Sequence, residues 1–467
     1  MNFVNIWGAT TLIVCLAVGV ASPAIAQGDH DEDREFISRV FEHALTQRQS
    51  YIWLRDLCLE IGPRLSGSSN AAKSIEWVKY ISDTSGFDHV FLQDVMVPHW
   101  ERGEAEQAVL TDSKGKELEL SVLAIGGSIA TPPGGITGQV LEVGSLQEVN
   151  RLTREEVEGK ILFYNPPFDQ SNIMTGASYG ANVGTRSRGA VAAAEKGAIA
   201  SIIRSVTSAD DDYPHTGTGS YADGVPKIPA AALGVQSADR LSEVIAKDPE
   251  ATLRLTMNCQ WFEDAPSHNV VAEMRGSEYP EQIIVVGGHL DSWDVGHGAH
   301  DDGAGCMHAL GALKLLKELG INPKRTIRAV MFINEENGTR GGQRYAELAV
   351  ENEEKHLIAV ESDAGGFTPR GFGVTSSDEQ RKKLEGWLPL FPRNTISYFS
   401  RGGGGVDIGP LHRATGTPMM GLSIDSQRMF DLHHSARDVF EEVHPRELEL
   451  GTASLAAIIY LLDKYGL

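Results

Sequence analysis

Gln282-Ile283-Ile284-Val285-Val286, followed by Gly287-Gly288 and then His289-Leu290-Asp291, is the stretch on which the fold turns. An apolar run this short, rich in β-branched residues and closed by glycine, reads as a strand buried on both faces. Polar residues begin where the run ends. Similar runs occupy residues 269–274, 326–333, 357–360 and 418–423. Between the strands, Asp302 is placed to cap a helix with Cys306, Ala309, Leu310, Leu313 and Leu316 on its apolar face. Gly320 and Pro323 end that helix. A last helix follows Pro445, with Leu448, Leu450, Leu455, Ile458, Ile459 and Leu462 apolar. This alternation predicts an α/β fold: a mixed, mostly parallel central sheet with helices on both faces.

Working outward, residues 36–61 and 71–82 carry apolar positions at helical spacing, and 90–92 begins a strand. Residues 126–264 differ in texture. Short β-like runs, such as 138–143 and 160–164, alternate with Pro/Gly loops, and one helix lies near 190–196. Residues 206–225 read as a long surface loop. The expected division is therefore a catalytic domain in two parts, 27–125 and 265–467, interrupted by an inserted β-rich domain at 126–264. Residues 1–26 hold no charged side chain and end in Ala24-Ile25-Ala26-Gln27. They read as a cleavable signal peptide, with export to the periplasm or the extracellular space. The apolar core is short of the about 20 residues needed to span a bilayer. No stable span is expected after cleavage.

Four polar clusters sit just past predicted strand ends: His289-Leu290-Asp291, Asn334-Glu335-Glu336-Asn337, Glu361-Ser362-Asp363 and His433-His434. In an open α/β sheet those ends converge on one edge, where ligands bind. So many carboxylates gathered there repel one another unless a cation lies among them. A metal site is the physical inference.

With Gly288-His289-Leu290-Asp291-Ser292-Trp293-Asp294, Asp301-Asp302-Gly303, Asn334-Glu335-Glu336, Glu361-Ser362-Asp363-Ala364-Gly365 and His433-His434-Ser435 in this order, the chain resembles the zinc aminopeptidase and glutamate carboxypeptidase superfamily, in its carboxypeptidase Q-like branch. The resemblance covers nearly the whole chain after the leader. It identifies the insertion as similar to a protease-associated domain. Two zinc ions are implied: His289 and Asp363 hold one, Glu336 and His434 the other, and Asp301 bridges them. Glu335 is implied as the general base. Asp291 is implied as the group that takes the other ring N–H of His289. The family's metal-binding His is followed four residues later by Asp, which selects His434 over His433 and makes Asp438 its partner. Asp407 matches an acidic position near the substrate, and a cis peptide is expected after Asp301. A homodimer is also implied.

The activity implied is that of a dinuclear zinc exopeptidase acting on dipeptides or short peptides. The alternatives are a broad aminopeptidase and, from another class, a non-catalytic binding module. The module reading requires lost ligands, and none of the five is missing. A formal net charge of −22 disfavours nucleic acid and anionic membrane as partners. Cys58, Cys259 and Cys306 are too few and too scattered for a disulfide framework, and they lack the paired spacing of a cysteine zinc site. Gly402-Gly403-Gly404-Gly405 lacks the GK[ST] ending of a phosphate loop and reads as a site rim. Arg401 and Arg428 read as surface or structural residues. Ser66-Gly67-Ser68 reads as a turn, and His297, His300 and His308 as packing or rim residues. Tyr179, Tyr213 and His215 are the residues of the insertion that could reach the cleft.

Overall fold

The computed structural model describes residues 27–467. The expected leader, 1–26, lies outside the described residues. The central sheet has eight strands in the order His89–Glu101, Gln260–Met274, Arg325–Phe332, Tyr279–His289, Lys355–Glu361, Met419–Ile424, Pro369–Thr375 and Phe399–Arg401. Its middle is parallel, from Arg325–Phe332 through Met419–Ile424, and antiparallel pairings flank it on both sides.

The continuous apolar runs are explained by two cores, one on each face. Ile284, Val286, Ala329, Met331, Ile358 and Val360 point to one; Ile283, Val285, Val330, Phe332 and Ala359 point to the other. A strand buried on both sides needs no polar alternation, so the period-two signal disappears and only the run remains. The first core is covered by the helices Gln27–Gln47, Gln49–Asp56, Ser69–Thr84, Ala304–Glu318 and Pro445–Tyr465. The helices Arg340–Glu351 and Gly409–Thr415 cover the second.

The helix Ala304–Glu318 is joined to the sheet at its first turn. The Asp302 carboxylate accepts the Gly305 N–H at 2.9 Å and the His289 N–H at 3.1 Å, so it both caps the helix and pins the strand end. A Cβ on Gly305 would stand 1.8 Å from the Ser362 carbonyl oxygen, so only glycine lets the helix start lie this close to the neighbouring strand end.

A second eight-stranded sheet runs Glu117–Leu120, Gln107–Thr111, Thr252–Thr256, Ile136–Val143, Ile161–Tyr164, Ala200–Arg204, Ala230–Leu233, Val122–Ala124. Three of these strands precede residue 126, so a division at that point would cut this sheet. The helix read at 190–196 is the end of a longer one, Thr175–Glu195, and Val235–Lys247 adds another. Residues 206–225 contain no named helix or strand, as expected of a loop, but they are not confined to the surface. His215 and Thr216 are fully buried against the central sheet's ligand loops. Cys58, Cys259 and Cys306 are all buried free thiols. Among the described residues no helix is long and apolar enough to cross a membrane.

Candidate metal centre

Strand ends deliver three of the five candidate ligands, with Glu335 beside one of them. His289 closes Tyr279–His289, Glu335 and Glu336 follow Arg325–Phe332, and Asp363 follows Lys355–Glu361. His433 and His434 come after the short helix Met429–Leu432. Asp301 sits in the distorted turn before Ala304–Glu318, and the peptide Asp301–Asp302 is cis, as the resemblance implied.

The two oxygens of Asp301 face opposite ways. Oδ1 lies 3.2 Å from His289 Nε2, and that nitrogen is 3.5 Å from Asp363 Oδ1. Oδ2 lies 3.1 Å from His434 Nε2, which is 3.2 Å from Glu336 Oε2. Two sets of nitrogen and oxygen donors thus share one carboxylate. His289, Asp301 and Glu336 are buried, whereas Glu335 and Asp363 reach toward the opening. Asp301 Oδ2 and Glu336 Oε1 have no hydrogen-bond donor despite burial, which is costly for a carboxylate unless a cation takes that place. His–carboxylate donor sets with these spacings fit zinc. Burial, reinforced by the charges of Asp363, Glu336 and Asp301 against the pull of His289, drives the Glu335 carboxyl well above its ordinary range. Glu336 is pushed to about 7 by burial and by Asp301.

Between the two adjacent histidines, the geometry favours His434. It lies against both Asp301 and Glu336. His433 meets only Asp301 Oδ2, at 3.5 Å, and its ring stacks on His434 with centroids 3.5 Å apart.

Two supporting roles differ from expectation. The Asp291 carboxylate does not take the His289 ring N–H: Nδ1 is 3.9 Å from Oδ1 and instead donates to the Asp291 main-chain carbonyl at 2.9 Å. The carboxylate accepts the N–H of Glu335 at 3.1 Å and of Glu336 at 3.4 Å, plus the Ser66 hydroxyl at 2.9 Å. It therefore fixes the turn that aims the base and its neighbour. Asp438 is not the partner of His434 either. Its carboxylate accepts the N–H of His300 at 2.7 Å and of Asp301 at 3.0 Å, holding the bridging residue's main chain. The His434 Nδ1 faces the Thr216 carbonyl at 3.3 Å.

Asp407, expected near the substrate, has no exposed surface, and neither of its oxygens is hydrogen-bonded. Burial and the adjacent Glu361 raise its carboxyl well above the usual range, while burial and Asp363 bring Glu361 to about 7. It is a buried neighbour of Glu335, not a group on the cleft wall. Among the other candidates, Arg401 pairs with Asp378 and Arg428 with Glu442, both exposed. His300 stacks on Phe367, His308 bridges Ser362 and Leu448, and His297 accepts the Phe440 N–H. All three make packing contacts away from the two donor sets. Tyr179 meets the His433 ring edge-on at 5.2 Å, and Tyr213 is half exposed.

Arg64 was missed. Its guanidinium is completely buried and donates to the carbonyls of Leu290, His297 and Gly298, while its N–H donates to Ser292 Oγ. It ties residues 290–298, the approach to Asp301, into one unit. Its place in Ile61-Gly62-Pro63-Arg64-Leu65-Ser66-Gly67-Ser68, a run that shares in the family resemblance, was the only signal in the sequence. Arg64→Ala leaves the Leu290 and His297 carbonyls without donors, while the Gly298 carbonyl keeps the Gly303 N–H. At about 1–3 kcal/mol for each unpaired group, the variant is expected to lose at least about 2 kcal/mol of stability, read as a shifted thermal or urea melt.

Comparison with known proteins agrees with this geometry. The model of peptidase family M28 matches residues 269–458. Carboxypeptidase Q of Bos taurus is 40% identical over 416 residues, covering 89% of this chain and 85% of that protein. Carboxypeptidase Q of Homo sapiens is 37% identical, covering 97% of this chain and 96% of that protein. Among solved structures, a peptidase M28 precursor from Shewanella amazonensis superposes with a TM-score of 0.88 at 33% identity, covering 93% of this chain and 97% of that one. A zinc aminopeptidase from Bacillus subtilis has the same fold, with a TM-score of 0.63 at 20% identity, covering 88% of this chain and 94% of that one. The chain therefore belongs to peptidase family M28, as a metallo-exopeptidase similar to carboxypeptidase Q.

Proposed function

We propose that this enzyme is exported, uses two zinc ions, and hydrolyses dipeptides or short peptides from one end. The observation that carries the reading is the division of labour at Asp301, whose two oxygens each face a separate His–carboxylate pair. His289 and Asp363 would hold one ion, Glu336 and His434 the other. Zinc in such sites lowers the pKa of a bound water toward neutrality and polarises a carbonyl. The rest is done by side chains. Glu335, with its N–H held by Asp291, takes a proton from the attacking water as that oxygen bonds to the carbonyl carbon. It returns the proton to the leaving nitrogen as the C–N bond breaks, giving an amine and a carboxylic acid.

We assign residues 126–264 to a protease-associated insertion and expect the leader at 1–26, supported by its uncharged apolar run and Ala24-Ile25-Ala26, and a homodimer, supported by the resemblance to carboxypeptidase Q. Peptide-end specificity is tested with dipeptides blocked at the amino or carboxyl terminus. Loss of cleavage on carboxyl blocking alone supports a carboxypeptidase. Loss on amino blocking alone makes the enzyme an aminopeptidase, and loss on either supports a strict dipeptidase. Chelation is expected to remove activity and added zinc to restore it. Full activity in a sample shown to be metal-free would sink the metal reading.

A further inference from the structure

The half of the centre built from Glu336 and His434 is fastened from outside the central sheet. The loop 205–218, which leaves the second sheet after the strand Ala200–Arg204, lies along the backs of both ligands. The His215 Nδ1–H donates to the His433 carbonyl at 2.6 Å, and the Thr216 N–H donates to the His434 carbonyl at 2.9 Å. The Thr216 carbonyl faces His434 Nδ1 at 3.3 Å, and the Thr218 hydroxyl donates to the Glu336 carbonyl at 2.9 Å. His215 is itself anchored within the loop, its N–H donating to Ser205 Oγ at 2.8 Å.

These bonds fall where the ligand backbone most needs them. His434 is a non-glycine residue with φ +62°, in the left-handed region that a histidine holds only when its surroundings over-determine it. The hydrogen bonds to its own carbonyl and to that of His433 are that determination. The opposite half is different. His289 ends a strand paired with Arg325–Phe332 on one side and Lys355–Glu361 on the other, and its ring is oriented by its own loop through Asp291. Asp363 follows directly from the end of Lys355–Glu361. Among the described residues, no hydrogen bond joins the loop 205–218 to His289 or Asp363.

We propose that His215 and Thr218 are positioning residues for the Glu336/His434 metal position alone, so that the two positions differ in what holds them: one depends on the central sheet, the other on the second sheet's loop. This rests on the two-zinc reading above. It makes the second sheet a structural part of the metal centre rather than only a neighbour of it.

The test is metal binding to the full chain. Metal-free enzyme is titrated with Zn²⁺ against a competing chelator, and with Co²⁺ followed by its visible absorption. Thr218→Val deletes one hydroxyl at a part-buried site, and His215→Phe removes the ring donor. Each is expected to weaken one equivalent by about 10–100-fold, the usual loss when an outer partner of a ligand is removed. The other equivalent should keep its wild-type affinity. Thr218→Ser and His215→Asn, which keep a donor, are expected to restore most of the loss. Thr207→Val serves as a control, since Thr207 docks the same loop through the Phe430 carbonyl without touching a ligand. Equal weakening of both equivalents, no weakening of either, or the same change from Thr207→Val would overturn the proposal. Uptake of a single equivalent by the wild type would overturn the two-zinc reading first, and so separates its failure from failure of the asymmetry.

Discussion

Replacing Glu335 by glutamine is expected to reduce kcat for dipeptide hydrolysis by on the order of 10²–10⁴-fold, the usual worth of a general base, while zinc content stays at the wild-type value. The two halves of that expectation come from separate observations. The amide cannot take a proton from water, so the chemical step is lost. Glu335 Oε2 is 4.0 Å from His289 Nε2 and is not needed to complete either donor set, so the metal should stay. Its main chain is held by Asp291 regardless of the side chain, and the turn that also carries Glu336 should survive. KM should change little. Normal turnover in this variant would remove Glu335 from the mechanism, and loss of zinc would make it a ligand.

The second large effect is expected at Asp301. Asp301→Asn keeps the shape but halves the bridge, because an amide offers one oxygen where the carboxylate offers two. Both donor sets include this residue, so both should suffer. The loss in zinc affinity should exceed the about 100-fold typical of removing an outer partner, and activity should fall with it at ordinary zinc concentrations. Metal analysis after dialysis reads the first effect, and zinc-dependent assays read the second. Retention of two tightly held ions in this variant would show that Asp301 is not shared.

The strands were legible because burial on both faces leaves an unmistakable apolar run, and His289, Glu336 and Asp363 because each stands just past one. What the sequence could not supply was the direction in which a side chain turns. Asp291 lies two residues from His289, close enough to serve its ring, yet the main-chain carbonyl takes that bond and the carboxylate turns to the neighbouring strand end. The spacing from His434 to Asp438 picks out the histidine that lies against both Asp301 and Glu336, but Asp438 crosses to the loop before Asp301. Arg64 drew no role of its own from the sequence, because nothing local announces that three carbonyls from residues 290–298 will close over it. The strands Pro369–Thr375 and Phe399–Arg401 went unread because their sequences are short or broken by Gly and Pro. The helix Thr175–Glu195 was read only at its alanine-rich end because Gly176, Gly180 and Gly184 weaken the local signal over its first half.

Glu361 and Asp407 aside, the carboxylates around the centre fall into two populations. Asp291, Asp302 and Asp438 spend their charge on main-chain N–H groups. Asp301, Glu335, Glu336 and Asp363 have no such partners and face inward. With the imidazoles neutral, those four facing groups carry four negative charges in a region that excludes most water. Two divalent ions bring that region to electroneutrality, whereas one would leave a surplus of two negative charges. The same count predicts that emptying the centre draws protons in, since the cluster must recover its balance from somewhere. Metal loading should therefore release protons, and should weaken steadily as the medium is made more acidic.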